Sequence, residues 1–134
     1  MLRPESPEQL AALLRESARE HRTIRLGGNF SKDALGGPPA PADVTISTSS
    51  LNRMLQYEPR DLTVSVEAGM PFSELVSTLA ANQQMLPLDP PWLKESTVGG
   101  VLAANLSGPR RRLYGTARDM VIGMLEGSRP KRHR

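Results

Sequence analysis

Two glycine-bearing stretches hold the residue types needed to grip an anion. In the first, Gly27-Gly28-Asn29-Phe30-Ser31-Lys32 directly follows a short apolar run. Paired glycines let a backbone turn with positive φ and point its N–H groups outward, while Ser31 and Lys32 add a hydroxyl and a cation. The run matches neither the Walker pattern, which closes on Gly-Lys-Ser/Thr, nor G-x-G-x-x-G. An ordinary turn is the plainer alternative. In the second stretch, Ser96-Thr97-Val98-Gly99-Gly100, Thr97 suits an N-cap, and Gly99, Gly100, Ala103 and Ala104 keep the helix surface thin. A thin helix start lets a ligand approach the amides, each charge-assisted hydrogen bond contributing about 1.5–3 kcal/mol. The helix dipole adds about 0.3–1 kcal/mol for a phosphate. A small-residue helix packed tightly on a sheet is the alternative.

The elements around these stretches must bring them together. Ser6-Pro7-Glu8-Gln9 reads as a helix start, with Ser6 as N-cap, Pro7 at the first helical position and Gln9 completing a capping box. Leu10, Leu13, Leu14 and Ala18 then share one face, and the helix is expected to end near His21 or Arg22. Thr23 to Leu26 reads as a short strand feeding the first glycine stretch, and residues 36–41 as a loop. Val44 to Thr48 is a second strand, with Leu51 starting a turn. Met54 to Tyr57 and Leu62 to Glu67 form a hairpin closed by Glu58 to Asp61. Alternation in its second arm puts Leu62, Val64 and Val66 inward and Thr63, Ser65 and Glu67 toward water. Pro71 starts a helix whose Phe72, Leu75, Val76, Leu79 and Ala80 share a face, ending near Asn82. A stiff, proline-rich approach, Leu86 to Trp92, leads into the helix expected over Val98 to Asn105. Met120 to Leu125 is a last strand candidate. Helices and strands mix throughout, so the fold class is α+β.

Composition excludes several chemistries. The 134 residues include no Cys, which removes disulfides, thiolate catalysis and Cys-ligated metals. The two His lie far apart in sequence, so a His-based metal site is not expected. With one Trp, two Tyr and two Phe, base stacking has few candidates. No run approaches the ~20 apolar residues of a membrane span, so no transmembrane segment is expected. The N-terminus lacks the apolar core of a signal peptide, and a cytoplasmic protein fits best. The net charge of +3 comes from residues 129–134, which hold four of the 17 basic residues and no acid. The rest carries 13 basic against 14 acidic groups, so a nucleic-acid partner is not favoured. Arg110-Arg111-Arg112 suits a solvated loop, a nucleic-acid contact or a partner contact, and Arg118-Asp119 an ion pair. No Ser-His-Asp set, paired carboxylates or partnered general base is visible, so no catalytic residue is assigned.

The two glycine elements, in this order, resemble those of vanillyl-alcohol oxidase / p-cresol methylhydroxylase (PCMH) flavoproteins, and more narrowly the FAD-binding subunits of bacterial glycolate oxidases. The resemblance rests on Gly27 to Lys32 with Leu35-Gly36, Val66-Glu67-Ala68-Gly69 and Gln84 to Pro91. It continues through Ser96 to Gly100, Ala104 to Arg111, Tyr114-Gly115 and Arg118 to Gly123. It implies a PCMH-type FAD-binding domain: a small α/β subdomain plus the beginning of a second α+β subdomain, with residues 1–124 a partial domain and 125–134 a basic non-family tail. The cofactor it implies is FAD. Gly27, Gly28, Asn29, Phe30, Ser31 and Lys32 would flank one side of the pyrophosphate. Ser96, Thr97, Val98, Gly99 and Gly100, with Asn105 and Gly108, would flank the other. Asp89 and Pro90 would lie along the isoalloxazine, and Gly115, Asp119 and Ile122 would close the adenosine or flavin walls.

Two departures accompany the resemblance. The usual first loop runs Gly-x-Asn-Ser-Lys, whereas here Phe30 separates Asn29 from Ser31. Family members also continue past Met120 to Leu125 with further strands and a substrate cap, for which a truncated or shifted reading frame is the economical expectation. The implied function is the FAD-binding subunit, or a fragment of it, of a complex oxidising a 2-hydroxy acid. Its implied partners are a second flavoprotein subunit and an iron–sulfur subunit, with association to the inner membrane through the complex. A non-catalytic degenerate fragment and a binding module with a basic tail remain as alternatives.

Overall fold

A computed structural model describes residues 1–33, 37–88, 90, 94–104 and 120–124. Its element order is α1 (Pro7–Arg19), β1 (Ile24–Gly27), β2 (Val44–Ser47), β3 (Met54–Glu58), a 3-10 turn (Pro59–Asp61), β4 (Thr63–Val66), α2 (Phe72–Ala80) and α3 (Val98–Ala104). The α+β class holds.

α1 starts where its residues dictate. The Ser6 side chain accepts from the Gln9 amide at 3.1 Å, and Pro7 occupies the first turn, where a missing N–H costs nothing. The Gln9 side chain reaches back one residue further than a standard capping box, accepting from the Glu5 amide at 2.8 Å. The helix stops at Arg19, ahead of the expected end, because His21 takes φ 55 and cannot continue it. Its inward face runs through Leu10, Leu13, Leu14 and Ser17; Ala18, expected on that face, is exposed.

β1 and β2 pair in parallel, Ile24 opposite Val44 through Gly27 opposite Ser47. The N-terminus flanks β2 on its other side: the Leu2 amide donates to the Thr45 carbonyl and the Ser47 amide to the Leu2 carbonyl. Held between two neighbours, Ile46 is fully buried. Thr23 and Asp43 lock the entry to the pair, each backbone amide donating to the other's side-chain oxygen at 2.9 Å.

β3 and β4 form the antiparallel hairpin, with a register irregularity between Met54 and Gln56. The expected alternation fails at both ends of the second arm. Leu62 closes the 3-10 turn at φ 55 and stands 78% exposed. Glu67 is buried, since its carboxylate accepts from the Arg53 Nε at 2.8 Å and the Arg53 amide at 3.1 Å. Between them Val64 and Val66 do turn inward and join Met70 and, from the adjoining helix, Leu75 and Leu79. A second cluster, Phe72, Leu88 and Val101, shares Val98 and Leu86 with the first, so one apolar layer joins the hairpin, α2 and α3. Ala80, expected on the buried face of α2, is exposed.

The strand expected over Met120 to Leu125 does not form over residues 121–124. No described strand pairs with it, and a strand without a partner has no ladder to hold it.

Candidate functional site

The first glycine stretch leaves β1 as a loop whose carbonyls are pinned to the end of β2. The Thr48 amide donates to the Gly27 carbonyl and the Ser47 hydroxyl to the Gly28 carbonyl, both at 2.8 Å. Beyond them the amides of Asn29, Phe30, Ser31 and Lys32 donate to no other described residue. Outward N–H groups are present as expected, but the positive φ expected of the paired glycines falls instead on Phe30, at φ 55.

The second glycine stretch lies against the first. A Cβ on Gly28 would run into the Thr97 side chain, so the two walls touch where glycine removes the obstacle. The Asn29 Nδ2 donates to the Glu95 carbonyl at 3.1 Å, and the Lys32 Nζ donates to the Ser96 Oγ at 3.0 Å. Together loop and helix enclose an open cleft of about 280 Å³, lined by residues 26–33 on one side and by Thr97, Gly100, Ala103 and Ala104 on the other.

The start of α3 departs from expectation. Its amides are satisfied from within: Val98 donates to the Met70 carbonyl at 2.9 Å, Gly99 to the Ala68 carbonyl at 2.8 Å, and Gly100 to the Thr97 Oγ1 at 3.1 Å. Thr97 is therefore the N-cap, as its type predicts, but no free nest of amides stands behind it. Val98 packs into the apolar layer and Gly99 closes on Ala68. The two helix starts are laced to each other, the Phe72 amide donating to the Ser96 carbonyl at 2.9 Å. The helix contributes a thin wall and a hydroxyl, while the loop contributes the amides.

Lys32 supplies the charge. It is partly buried, and loss of solvent pushes its ammonium below the usual lysine pKa. Its hydrogen bonds are to the neutral hydroxyls of Ser96 and Ser31, and among the described residues no carboxylate pairs with it. The nearby acid, Asp33, is already taken by Arg25. A half-desolvated cation beside unsatisfied amides fits an anionic group with several oxygens, which a diphosphate provides.

Asp89, Asn105, Gly108, Gly115 and Asp119 fall outside the described residues, as do Leu35-Gly36, Trp92, the three arginines 110–112 and the tail. Pro90 is buried and Ile122 is 90% exposed, and neither lines the cleft. The pairing of the exposed Arg53 guanidinium with the buried Glu67 carboxylate is not evident from the sequence pattern; its signal is Glu67 following an apolar alternation and preceding Ala68-Gly69. The role of Gln84 was equally hidden. It accepts from the Tyr57 hydroxyl and donates to the Pro59 carbonyl at 2.7 Å, fastening the hairpin turn to the segment after α2.

A parallel strand pair ending in a glycine loop, faced by a thin capped helix, suits the diphosphate of a nucleotide cofactor. Residues 1–125 match the FAD binding domain family, and the chain belongs to it. Glycolate oxidase subunit GlcE of Escherichia coli is 30% identical over 117 residues, 87% of this chain and 33% of that protein. Glycolate oxidase subunit GlcD of Bacillus subtilis is 26% identical over 92% of this chain and 26% of its own length. Among solved structures, alkyldihydroxyacetonephosphate synthase superposes with a TM-score of 0.77 at 27% identity, over 90% of this chain and 25% of that one. The fold is thus of the PCMH type and the family's cofactor is FAD. The chain spans about a quarter to a third of the length of these relatives. No helix among the described residues is long and apolar enough to cross a membrane, and no cluster of three metal-ligating residues occurs among them.

Proposed function

We propose that this chain forms the pyrophosphate-binding part of an FAD-dependent oxidoreductase of the glycolate-oxidase type. The observation that carries the proposal is Lys32: its ammonium has no carboxylate partner among the described residues, faces Ser96 across the cleft, and adjoins four amides without described partners. The ammonium and the amides of Asn29 to Lys32 hold the phosphate oxygens. The Thr97 hydroxyl keeps one donor for them, and Gly28 and Gly100 let them come close. Flavin, when bound, supplies the redox chemistry, taking the electron pair as a 2-hydroxy acid loses two electrons and two protons to become the 2-oxo acid. The chain's own residues bind and orient the cofactor and name no acid or base for that step.

Similarity to GlcE and GlcD, both named as subunits, supports a role inside a multi-subunit complex. The partners proposed are a second flavoprotein subunit and an iron–sulfur subunit, which pass electrons onward, with the complex cytoplasmic and at the inner membrane. Pro90 and Asp89 are proposed on the isoalloxazine side, Asn105 and Gly108 with residues 96–100 on the second side of the pyrophosphate, and Gly115, Asp119 and Ile122 on the adenosine or flavin walls.

The test is cofactor retention. Purified chain incubated with FAD and desalted is expected to keep visible flavin absorbance and to melt at higher temperature, as ligand binding to the folded state requires. Neither signal appearing would refute FAD binding by this chain.

A further inference from the structure

Phe30 interrupts the cleft loop, and anion binding by itself calls for no aromatic residue there. Its backbone sits at φ 55, the left-handed region that a bulky side chain rarely adopts. What holds it is a closed set of contacts. Its ring fills the space that a Cβ on Gly27 would need. The Arg25 guanidinium carbon lies 4.5 Å from the ring centroid, within cation–π range. The same guanidinium pairs with Asp33, and the Asp33 amide donates back to the Phe30 carbonyl at 3.3 Å. Phe30 in the middle of the loop and Asp33 at its far end are thereby both clamped to strand β1 through Arg25. None of these contacts involves a ligand. The Gly27 and Gly28 carbonyls and the Asn29 and Lys32 side chains add their own ties, but the amides of residues 29–32 have no described partner, so no backbone ladder fixes the loop's shape.

We propose that Phe30 is a positioning residue that sets the 28–33 loop in its anion-gripping shape before any cofactor arrives. A loop already ordered loses less conformational freedom on binding, so its hold on the anion is tighter. The identity of the anion rests on the FAD proposal above, but the ordering does not. A ring that merely filled space would be replaceable by any apolar residue of similar size; the positioning role requires a ring face for Arg25.

The test uses the full chain and three variants, Phe30→Leu, Phe30→Tyr and Arg25→Gln, and reads two quantities. The first is the set of backbone ¹⁵N order parameters of residues 28–33 without FAD. The second is the FAD dissociation constant. Wild type is expected near the rigid-backbone value of about 0.85, and Phe30→Leu to fall below about 0.6 in this loop alone. FAD affinity is expected to drop about tenfold in Phe30→Leu, the loss expected when a preformed loop must be ordered by its ligand. Phe30→Tyr restores both quantities. Unchanged loop order in Phe30→Leu, a wild-type loop already below about 0.6, or loosening without any loss of affinity overturns the proposal. If Phe30→Leu does not fold, Arg25→Gln decides: it removes the cation over the ring, and an equally rigid loop overturns the proposal. A wild-type loop that is ordered while the chain binds no FAD sinks the cofactor proposal and leaves the positioning role standing.

Discussion

At the scale of single residues, Lys32 and Gly28 do opposite work. Lys32 brings a cation into a partly desolvated cleft, and Gly28 withholds the atom that would block it. Replacing Lys32 by Gln removes one charged hydrogen-bond donor, a contribution of about 1.5–3 kcal/mol, or about 10- to 150-fold in FAD affinity. Isothermal titration checks this, and an unchanged constant would remove Lys32 from the site. Substituting Gly28 by Ala drives a Cβ into the Thr97 side chain. Both walls must then separate, which is expected to cost about 1–3 kcal/mol in a urea unfolding experiment as well as binding. The contrast between the two variants is useful, because Lys32→Gln spares the packing and Gly28→Ala does not. Much of this site was legible from residue type: paired glycines, a hydroxyl and a lysine after a strand. The use of the α3 amides was not, since Gly99 and Val98 spend their N–H groups on the Ala68 and Met70 carbonyls, about 30 residues earlier in the chain. A nest is a local pattern, but its availability is decided by distant partners.

At the scale of elements, local signals and long-range pairings separate cleanly. The Ser6 cap and Pro7 placed the start of α1, because capping depends on three or four adjacent residues. Ser6→Ala is expected to cost about 1 kcal/mol and to lower the melting temperature by a few degrees. The alternation of β4 was readable through Val64 and Val66 and failed at Glu67, whose burial depends on Arg53 across the hairpin. The hydrogen bond from Arg53 holds the Glu67 carboxyl below its ordinary pKa, against the opposing effect of burial. A carboxylate whose folded pKa is depressed adds stability above its unfolded pKa of about 4.3, and that stability is lost as pH falls through the lower folded value. Wild type is therefore expected to lose stability between about pH 5 and pH 3 more steeply than Glu67→Gln, as followed by thermal melts across that range. Parallel melting curves for the two proteins would show that the pair contributes nothing. Gly69, two residues on, is held tighter still. A Cβ there would collide with the Thr48 and Leu51 carbonyls, backbone atoms that cannot rotate away. The pairing of β1 with β2 left no mark in either strand's own sequence, because the 16 residues between them specify no register. The Leu2 segment that flanks β2 was equally unmarked.

At the scale of the whole molecule, the question is whether binding follows net charge or local geometry. The chain carries +3 overall, yet without residues 129–134 it would carry 13 basic and 14 acidic groups, a net of −1. If attraction to a diphosphate depended on the overall charge, deleting those six residues would weaken FAD binding markedly and make it less sensitive to salt. The geometry argues otherwise. The cleft draws its polar groups from residues 28–33 and from Thr97, and its cation is Lys32, set against neutral hydroxyls. Arg25 and Asp33 neutralise each other beside it, so among the described residues the field there is set by one ammonium and the adjoining amides. Over a Debye length of about 8 Å at physiological salt, groups in contact with the phosphates outweigh charges in bulk solvent. The deletion is therefore expected to change the FAD dissociation constant by less than about threefold at that ionic strength, the shift expected when only screened charge is lost. Any salt-sensitive retention on immobilised nucleic acid, by contrast, is expected to disappear with the six residues, since they hold the whole positive excess. A tenfold loss of FAD affinity on deletion would instead make the basic segment a phosphate ligand, and the cleft between loop and helix only part of the site.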